Sequence, residues 1–366
     1  MLGFNPAYRA TELPCYRIPF FDALMDFSIA ALLIQDGLTN GAIYCLLALA
    51  LVLVFAVTRV IFIPQGEFVA FTVLTLASFE QNKLPGTVWL LIALAATVLL
   101  AEIVAYRKES GRMLRAIAGT ALPCLIAAAI VWAVFAMHAG FALQVAATVI
   151  AVTAMGPAIY RLAYQPVATA PVLTLLIVSV AVHFVLTGLG LLFFGAEGAR
   201  TSAFTASTFA LGSINVSGQS LLVYAFTLGL VVAMGLFFKY TLFGKALRAT
   251  AANRTGARLV GISPNFAGSL SVTLAAAIGA LSGLLIGPIT TVYYDSGFLI
   301  GLKGFVGAIV GGLASYPIAA GGAIFVGLVE AFSSFWASAY KEVIVFTLIL
   351  PVLLWRSFTT THHEEE

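Results

Sequence analysis

The sequence predicts an all-α, polytopic transmembrane helical bundle containing some short or broken helices, and three observations predict it. Hydrophobic residues fill 61% of the 366 positions and charged residues 9%, with a positive mean hydropathy, which leaves too little polar surface for a water-soluble globule of this length. Several apolar runs reach the roughly 20 residues needed to cross about 30 Å of hydrocarbon as helices. Those runs lack the residue-by-residue alternation of outer-membrane strands.

Residues 1–26 hold Arg9, Arg17, Pro14, Pro19 and Asp22 but no apolar core with a small-residue cleavage site. They are read as an amino-terminal tail, or as an extension preceding a start at Met25. Taken between polar breaks, spans are expected near 36–58, 67–80, 88–105, 117–137, 140–160, 171–194, 220–238, 267–288, 303–314, 318–336 and 342–355, with residues 357–366 as a carboxy-terminal tail. The runs 67–80, 303–314 and 342–355 are short for a full crossing. Short, glycine-bounded segments predict broken or re-entrant helices, tolerated at membrane depth only where protein or a water-filled cavity satisfies the freed backbone groups. GEFVAFTVLTLASF after Pro64 and GLKGFVGAIVGG from Gly301 share a glycine-led, Phe-Val-containing character. That internal echo fits a transporter built from two related halves.

Net charge is only +3, and the basic residues sit in a few loops, so they report orientation rather than nucleic-acid binding. Arg107, Lys108, Arg112 and Arg115 form one basic loop and residues 239–258 another; both are expected to be cytoplasmic. Four spans separate them, an even number, so the two assignments agree. The same count puts the Ser-, Thr- and Gly-rich 195–219 loop outside and Arg356 inside. Arg59 and Lys83 flank a segment that need not fully cross, which leaves the amino-terminal orientation open.

Ionisable groups within spans are costly and default to functional candidates. Glu67 follows Pro64, where proline starts a helix and a first-turn carboxylate is favoured by the helix dipole. It is either a helix-start residue or part of a translocation path. Lys303 in GLKGF is expected to begin a short helix and to snorkel to the outer interface or act in a pathway or gate. Glu330, mid-span in FVGLVEAFSS, must face protein or water. Glu102, near a helix end, and His183, expected to bond a neighbouring backbone group, have weaker claims.

Enzyme chemistry finds no footing. Gly244-Lys245 is followed by Ala246 and lacks the upstream spacing of a phosphate-binding loop, so the chain is not its own ATPase. His138, His183, His362 and His363 form no zinc-ligand cluster or nucleophile triad, and no cofactor or metal is expected. Cys15, Cys45 and Cys124 imply no disulfide framework.

One basic stretch, FGKALRATAANRTGARLVGIS from Phe243, is read as a helix at about 100° per residue. Ala246, Ala249, Asn253, Ala257 and Val260 then form a narrow stripe, with Lys245, Arg248, Arg254 and Arg258 on the other side. A small-residue face admits a close-packed partner, and a basic face suits lipid headgroups or acidic protein. The bland alternative is a positive-inside loop that only anchors topology.

The wording of this stretch resembles the G-[RK]-A-x-R-A-x-A-x-x-x-x-x-A-x-L-x-G-I pattern in the cytoplasmic loop of ABC-importer membrane subunits of the branched-chain amino-acid type. DGLTNGAIYCLLALALVLVFAVTRVIFIPQGEF resembles that family's N-G-x-x-x-G-x-x-Y-A-L-x-A-L signature followed by I-N-F-A-H-G-E. YRLAYQPVATAPVL resembles its Y-R-P-V-R segment, and GFLIGLKGFVGAIVGGLASYPIAAGGAIFVGLVEAFSSFWASAYKEVIVF its long carboxy-terminal signature. The chain departs from the family where Pro64 and Gln65 replace Ala and His, and where Y-R-P-V becomes YQPV. Residues 86–139 look like an inserted helical hairpin.

The resemblance implies a permease domain over residues 27–356 with a cytoplasmic coupling loop at 239–266. It implies coupling through Gly244, Ala246, Arg248, Ala249, Asn253, Ala257 and Gly261, and a path involving Asn40, Tyr44, Gln65, Glu67, Lys303 and Glu330. The partners implied are cytoplasmic ATP-binding subunits, a second permease subunit, identical or related, an extracytoplasmic solute-binding protein and the lipid bilayer of a bacterial inner membrane. The solute implied is a small polar molecule, branched-chain or other amino acids first, with urea or aromatic acids as alternatives. A self-sufficient secondary transporter or channel is the rival from another class.

Overall fold

The computed structural model describes residues 27–105, 110–205, 207–211, 214–313 and 315–359. Residues 1–26 and 360–366, with Cys15, Arg107 and Lys108, lie outside the described residues, as do the side chains of Arg112, Arg115 and Arg356. The described residues are helical almost throughout. Its helices are α1 (Phe27–Thr58), α2 (Gln65–Glu80), α3 (Thr87–Ala105), α4 (Ser110–Ala136), α5 (Phe141–Ile159), α6 (Val172–Phe194), α7 (Gly218–Tyr240), α8 (Leu242–Ala252), α9 (Arg254–Leu259), α10 (Pro264–Ile286), α11 (Ser296–Val310), α12 (Tyr316–Trp336), α13 (Lys341–Thr347) and α14 (Ile349–Thr359). A π-helical turn, Tyr160–Tyr164, extends α5. Strands β1 (Thr208–Leu211) and β2 (Ile214–Ser217) pair as one antiparallel hairpin. Among the described residues eight helices, α1, α3–α7, α10 and α12, are long and apolar enough to span a bilayer. The protein is an all-α, multi-pass membrane bundle.

α1 is the central column, buried at every residue from 41 to 54. It runs antiparallel to α12 through a Gly-x-x-x-Gly step. A Cβ at Gly37 would lie 2.8 Å from the Leu328 Cα, and one at Gly41 2.8 Å from the Ile324 Cα. Small residues at that spacing let two backbones approach where lipid offers no hydrophobic drive for association. The packing also orients the start of α1. Tyr224, early in α7, donates to the Gln35 carbonyl at 2.9 Å, which places residues 27–40 at the end of the bundle carrying the β-hairpin. At the opposite, basic end Leu53 and Val57 pack against Leu247 of α8.

After α1 the chain turns at Arg59, in the left-handed region with φ 61°, and re-enters the bundle. α2 starts at depth: the Gln65 side-chain amide donates to the Ala275 carbonyl, midway along α10, at 2.9 Å. Its 16 residues cover only about 24 Å. α11, with 15 residues, is shorter still. The two segments with echoing sequences are thus both helices short of a full crossing, and they cross at glycine. A Cβ on Gly301 would stand 2.9 Å from the Gly66 nitrogen, and one on Gly297 2.8 Å from the Gly66 carbonyl oxygen.

Two expectations are corrected here. α11 begins at Ser296 rather than near residue 303. Its glycines do not break the helix; they admit neighbours, as Gly304 admits Leu47. The expected span 342–355 is two short helices interrupted at Leu348. Pro351 has no N–H to bond the carbonyl of Thr347, which accounts for the interruption.

Candidate functional site

A cavity of about 620 Å³ opens between α1, α11, α12 and α13 towards the hairpin end. Asn40 and Tyr44 from α1, Lys303 from α11 and Glu330 from α12 all line it, so four of the six path residues named from sequence come together. Lys303 Nζ donates to Glu330 Oε1 at 2.5 Å and to Glu342 Oε1 at 3.1 Å. The Tyr44 hydroxyl donates to Glu330 Oε2 at 2.7 Å, and its ring centroid lies 5.9 Å from Lys303 Nζ. Lys303 is 7% and Glu330 8% exposed. Lys303 therefore neither begins its helix nor snorkels outward, because two carboxylates hold its ammonium inside the bundle. Tyr44 and Glu330 were chosen separately from sequence, and the fold makes them one network.

A second cavity of about 530 Å³ shares Asp36, Asn40 and Ile289 with the first. Its far wall is the loop before the hairpin, where Arg200 donates through Nε and Nη2 to the Pro288 carbonyl at 3.0 and 2.7 Å. Together they form a polar vestibule at the hairpin end, bordered by charged side chains and floored by the Lys303 network.

Gln65 and Glu67, the other two named path residues, are fully buried and line neither part of this vestibule. Glu67 Oε1 instead meets His183 Nδ1 at 2.8 Å, clasping α2 to α6. His183 accordingly bonds a carboxylate rather than the neighbouring backbone expected from sequence. A third buried pair joins Glu102 to Arg161, whose Nε and Nη2 both donate to the carboxylate, the latter at 2.9 Å. It ties the α3–α4 hairpin to the π-helical turn.

The basic stretch is not one helix. Asn253, at φ −153° and ψ 105°, ends α8, and its Oδ1 accepts from the Gly256 N–H at 2.8 Å, capping α9. The stripe expected from a continuous helix is therefore broken in the middle. The face of α8 turned into the bundle carries Gly244, Leu247 and Thr250, spaced by three residues as an inward stripe requires. Gly244 lies against the α7 backbone, where a Cβ would stand 2.7 Å from the Phe238 Cα. Ala257 is buried within this chain, and Gly261 takes φ +87° as α9 ends. Ala246 and Ala249 are half-buried, whereas Lys245, Arg248, Asn253 and Arg258 are exposed. Arg254 is half-buried and donates to the Ala168 carbonyl at 3.3 Å.

Residues 116–353 match the model of a protein family described as branched-chain amino acid transport system / permease component. The chain belongs to that permease family. It is 32% identical over 223 residues to the high-affinity branched-chain amino acid transport system permease protein LivH of Escherichia coli K12, covering 59% of this chain and 71% of that one. LivH of Salmonella typhimurium is 30% identical over 213 residues, 56% of this chain and 69% of its own. BraD of Pseudomonas aeruginosa is 29% identical over 218 residues, 58% and 71% respectively. The family match begins within α4 and takes in the broken basic helices and the vestibule residues Lys303, Glu330, Lys341 and Glu342.

Sequence reasoning on this permease passed over Asp36, Lys341 and Glu342, which line the vestibule. Each falls at the edge of an expected span, where a charge reads as interfacial. It also missed Leu247 as the anchor of α8, although its three-residue spacing from Gly244 and Thr250 was legible.

Proposed function

We propose that this permease is one membrane subunit of an ABC importer in a bacterial inner membrane, providing half of the path for a small polar solute, with branched-chain or other amino acids foremost. The observation that carries the reading is the polar vestibule and its buried Lys303–Glu330 network, set at the opposite end of the bundle from the exposed basic residues of α8 and α9. Intramembrane charges are retained at such cost chiefly where a solute or ion passes. In this reading the basic end is cytoplasmic, following the positive-inside rule. The hairpin end receives solute from an extracytoplasmic binding protein.

Separate ATP-binding subunits supply the energy and dock on α8 and α9, and a second permease subunit completes the path. These helices expose both apolar residues, Leu242, Leu259 and Val260, and basic ones, Lys245, Arg248 and Arg258, which suits a partner surface that is part apolar and part acidic. Nucleotide binding outside the membrane drives transport only by contacting two states of the permease differently. The amino-acid solute follows from the names of the relatives. Purifying the tagged permease from its native membrane in mild detergent tests the assembly. An ATP-binding subunit copurifying in fixed ratio is the expected result; a homogeneous permease with no such partner, still active in transport, contradicts it.

A further inference from the structure

The vestibule floor contains a primary ammonium group already in place. Lys303 Nζ sits between Glu330 Oε1 and Glu342 Oε1, at 2.5 and 3.1 Å, with the Tyr44 ring at 5.9 Å. We propose that Glu330, Glu342 and Tyr44 form a receptor for a primary ammonium group, filled by Lys303 in this structure and by the ammonium of an amine-bearing solute during transport. The proposal rests on the permease reading of the vestibule and adds to it the residues that recognise the solute's ammonium group.

Charge and hydrogen-bond capacity both point this way. An alkylammonium offers three N–H donors and no acceptor, and the cage offers carboxylate oxygens in excess of what Lys303 uses. Glu342 Oε2 is buried and without a hydrogen-bond partner, so one carboxylate has spare acceptor capacity. The cavity wall carries three carboxylates, Asp36, Glu330 and Glu342, against the two ammonium groups of Lys303 and Lys341. An excess of one sign in a cleft with low-dielectric walls concentrates the opposite charge. The ammonium of Lys303 is committed to two carboxylates, which leaves Lys341 as the other cation on the cavity wall.

The geometry also gives an order of events. Glu342 lies on the short α13 with its side chain 34% exposed, whereas that of Glu330 is 10% exposed. The longer of the two Lys303 bonds is the one to Glu342. An incoming ammonium therefore meets Glu342 first and displaces Lys303 from it, with Glu330 behind as the deeper partner. Lys303 keeps its 2.5 Å bond to Glu330 Oε1, so the added ammonium balances the charge of Glu342. Quaternary ammonium ions have no N–H to donate and keep only undirected attraction to the carboxylates and the ring, so the cage prefers primary amines.

The test uses the full chain in lipid nanodiscs with Lys303→Ala, methylammonium chloride as the probe and tetramethylammonium chloride as the ionic control. Methylammonium is expected to raise the unfolding midpoint of this variant saturably. Tetramethylammonium should not, and the wild type should need at least tenfold more methylammonium for half the effect. Adding Glu342→Gln to Lys303→Ala should weaken the response at least tenfold. No saturable response in Lys303→Ala, or an equal response to both cations, overturns the proposal.

Should Lys303→Ala fail to fold, Glu342→Gln in the assembled, reconstituted importer decides instead. The KM for L-leucine should rise at least tenfold, and 4-methylpentanoate, its deaminated analogue, should compete poorly with wild type; an unchanged KM overturns the cage. Wild-type complex without ATP-driven uptake counts against the importer reading, and methylammonium titration of wild type against Glu342→Gln in nanodiscs then decides the ammonium site, an equal response from the two overturning it.

Discussion

Gly66 of α2 and Gly297 of α11 meet backbone to backbone: a Cβ on Gly297 would lie 2.8 Å from the Gly66 carbonyl oxygen. The crossing joins two short helices, of 16 and 15 residues, inside the bundle. It also sets the position of α11, and with it the depth at which Lys303 meets Glu330.

Gly66→Ala should therefore be severe, since overpacking a rigid backbone contact costs about 1 to 3 kcal/mol or more. Gly229→Ala in α7, where nothing lies within 4 Å of an added Cβ, is the matched control and should be near neutral. Thermal unfolding of both purified variants checks this. Equal midpoints for the two would mean that the α2–α11 crossing is looser than its geometry implies.

Removing one member of the vestibule pair should cost more than removing both. Glu330→Gln or Lys303→Met alone leaves a buried charge with reduced compensation, a loss of about 3 to 5 kcal/mol. The double substitution should recover part of that loss. A double-mutant cycle in detergent reads the coupling, and simple additivity would show the 2.5 Å contact to be energetically idle.

Much of this architecture was legible in sequence, and the misses share one cause. α1, α3–α7, α10 and α12 each announce themselves as an apolar run of spanning length. The start of α11 was misplaced because Gly297, Gly301 and Gly304 read as punctuation, when their missing side chains are what α1 and α2 pack against. Glu67, His183, Glu102 and Lys303 were suspected as costly intramembrane groups, and the fold buries all four. Their partners were not legible, because Glu67 and His183 are 116 positions apart and an apolar sequence carries no mark of which spans touch. Asn40, Tyr44, Lys303 and Glu330 were named singly, and only the fold made them neighbours around one cavity.

The broken basic stretch separates two substitutions that a continuous helix would treat alike. Ala257 is buried in the permease itself, so Ala257→Trp should destabilise the chain by about 1 to 3 kcal/mol with or without partners. Ala249, half-buried on α8, should tolerate Trp in the isolated permease while weakening retention of the ATP-binding subunit. Leu247→Ala removes the anchor packed against Leu53 and Val57 and should cost about 2 to 3 kcal/mol. Unfolding midpoints measured beside subunit retention sort the three; loss of ATPase from all of them without any loss of stability would contradict these placements.

The Glu102–Arg161 pair predicts a geometric requirement. Two guanidinium nitrogens reach the one carboxylate, and lysine cannot reproduce that fork. Arg161→Lys should therefore keep the charge yet lose stability, and Glu102→Gln should lose stability by removing the buried carboxylate that receives the fork. Full stability of Arg161→Lys would reduce the pair to a diffuse charge interaction.

The most direct measurement of the central claim is solute uptake into proteoliposomes containing this permease with and without its ATP-binding and second permease subunits. Radiolabelled L-leucine is supplied with the solute-binding protein outside, and ATP or a non-hydrolysable analogue within. An importer predicts accumulation above the external concentration only with the complete assembly and hydrolysable ATP. Equilibrating flux through the permease alone, unaffected by ATP, would contradict the account and mark the chain as a channel or self-sufficient transporter.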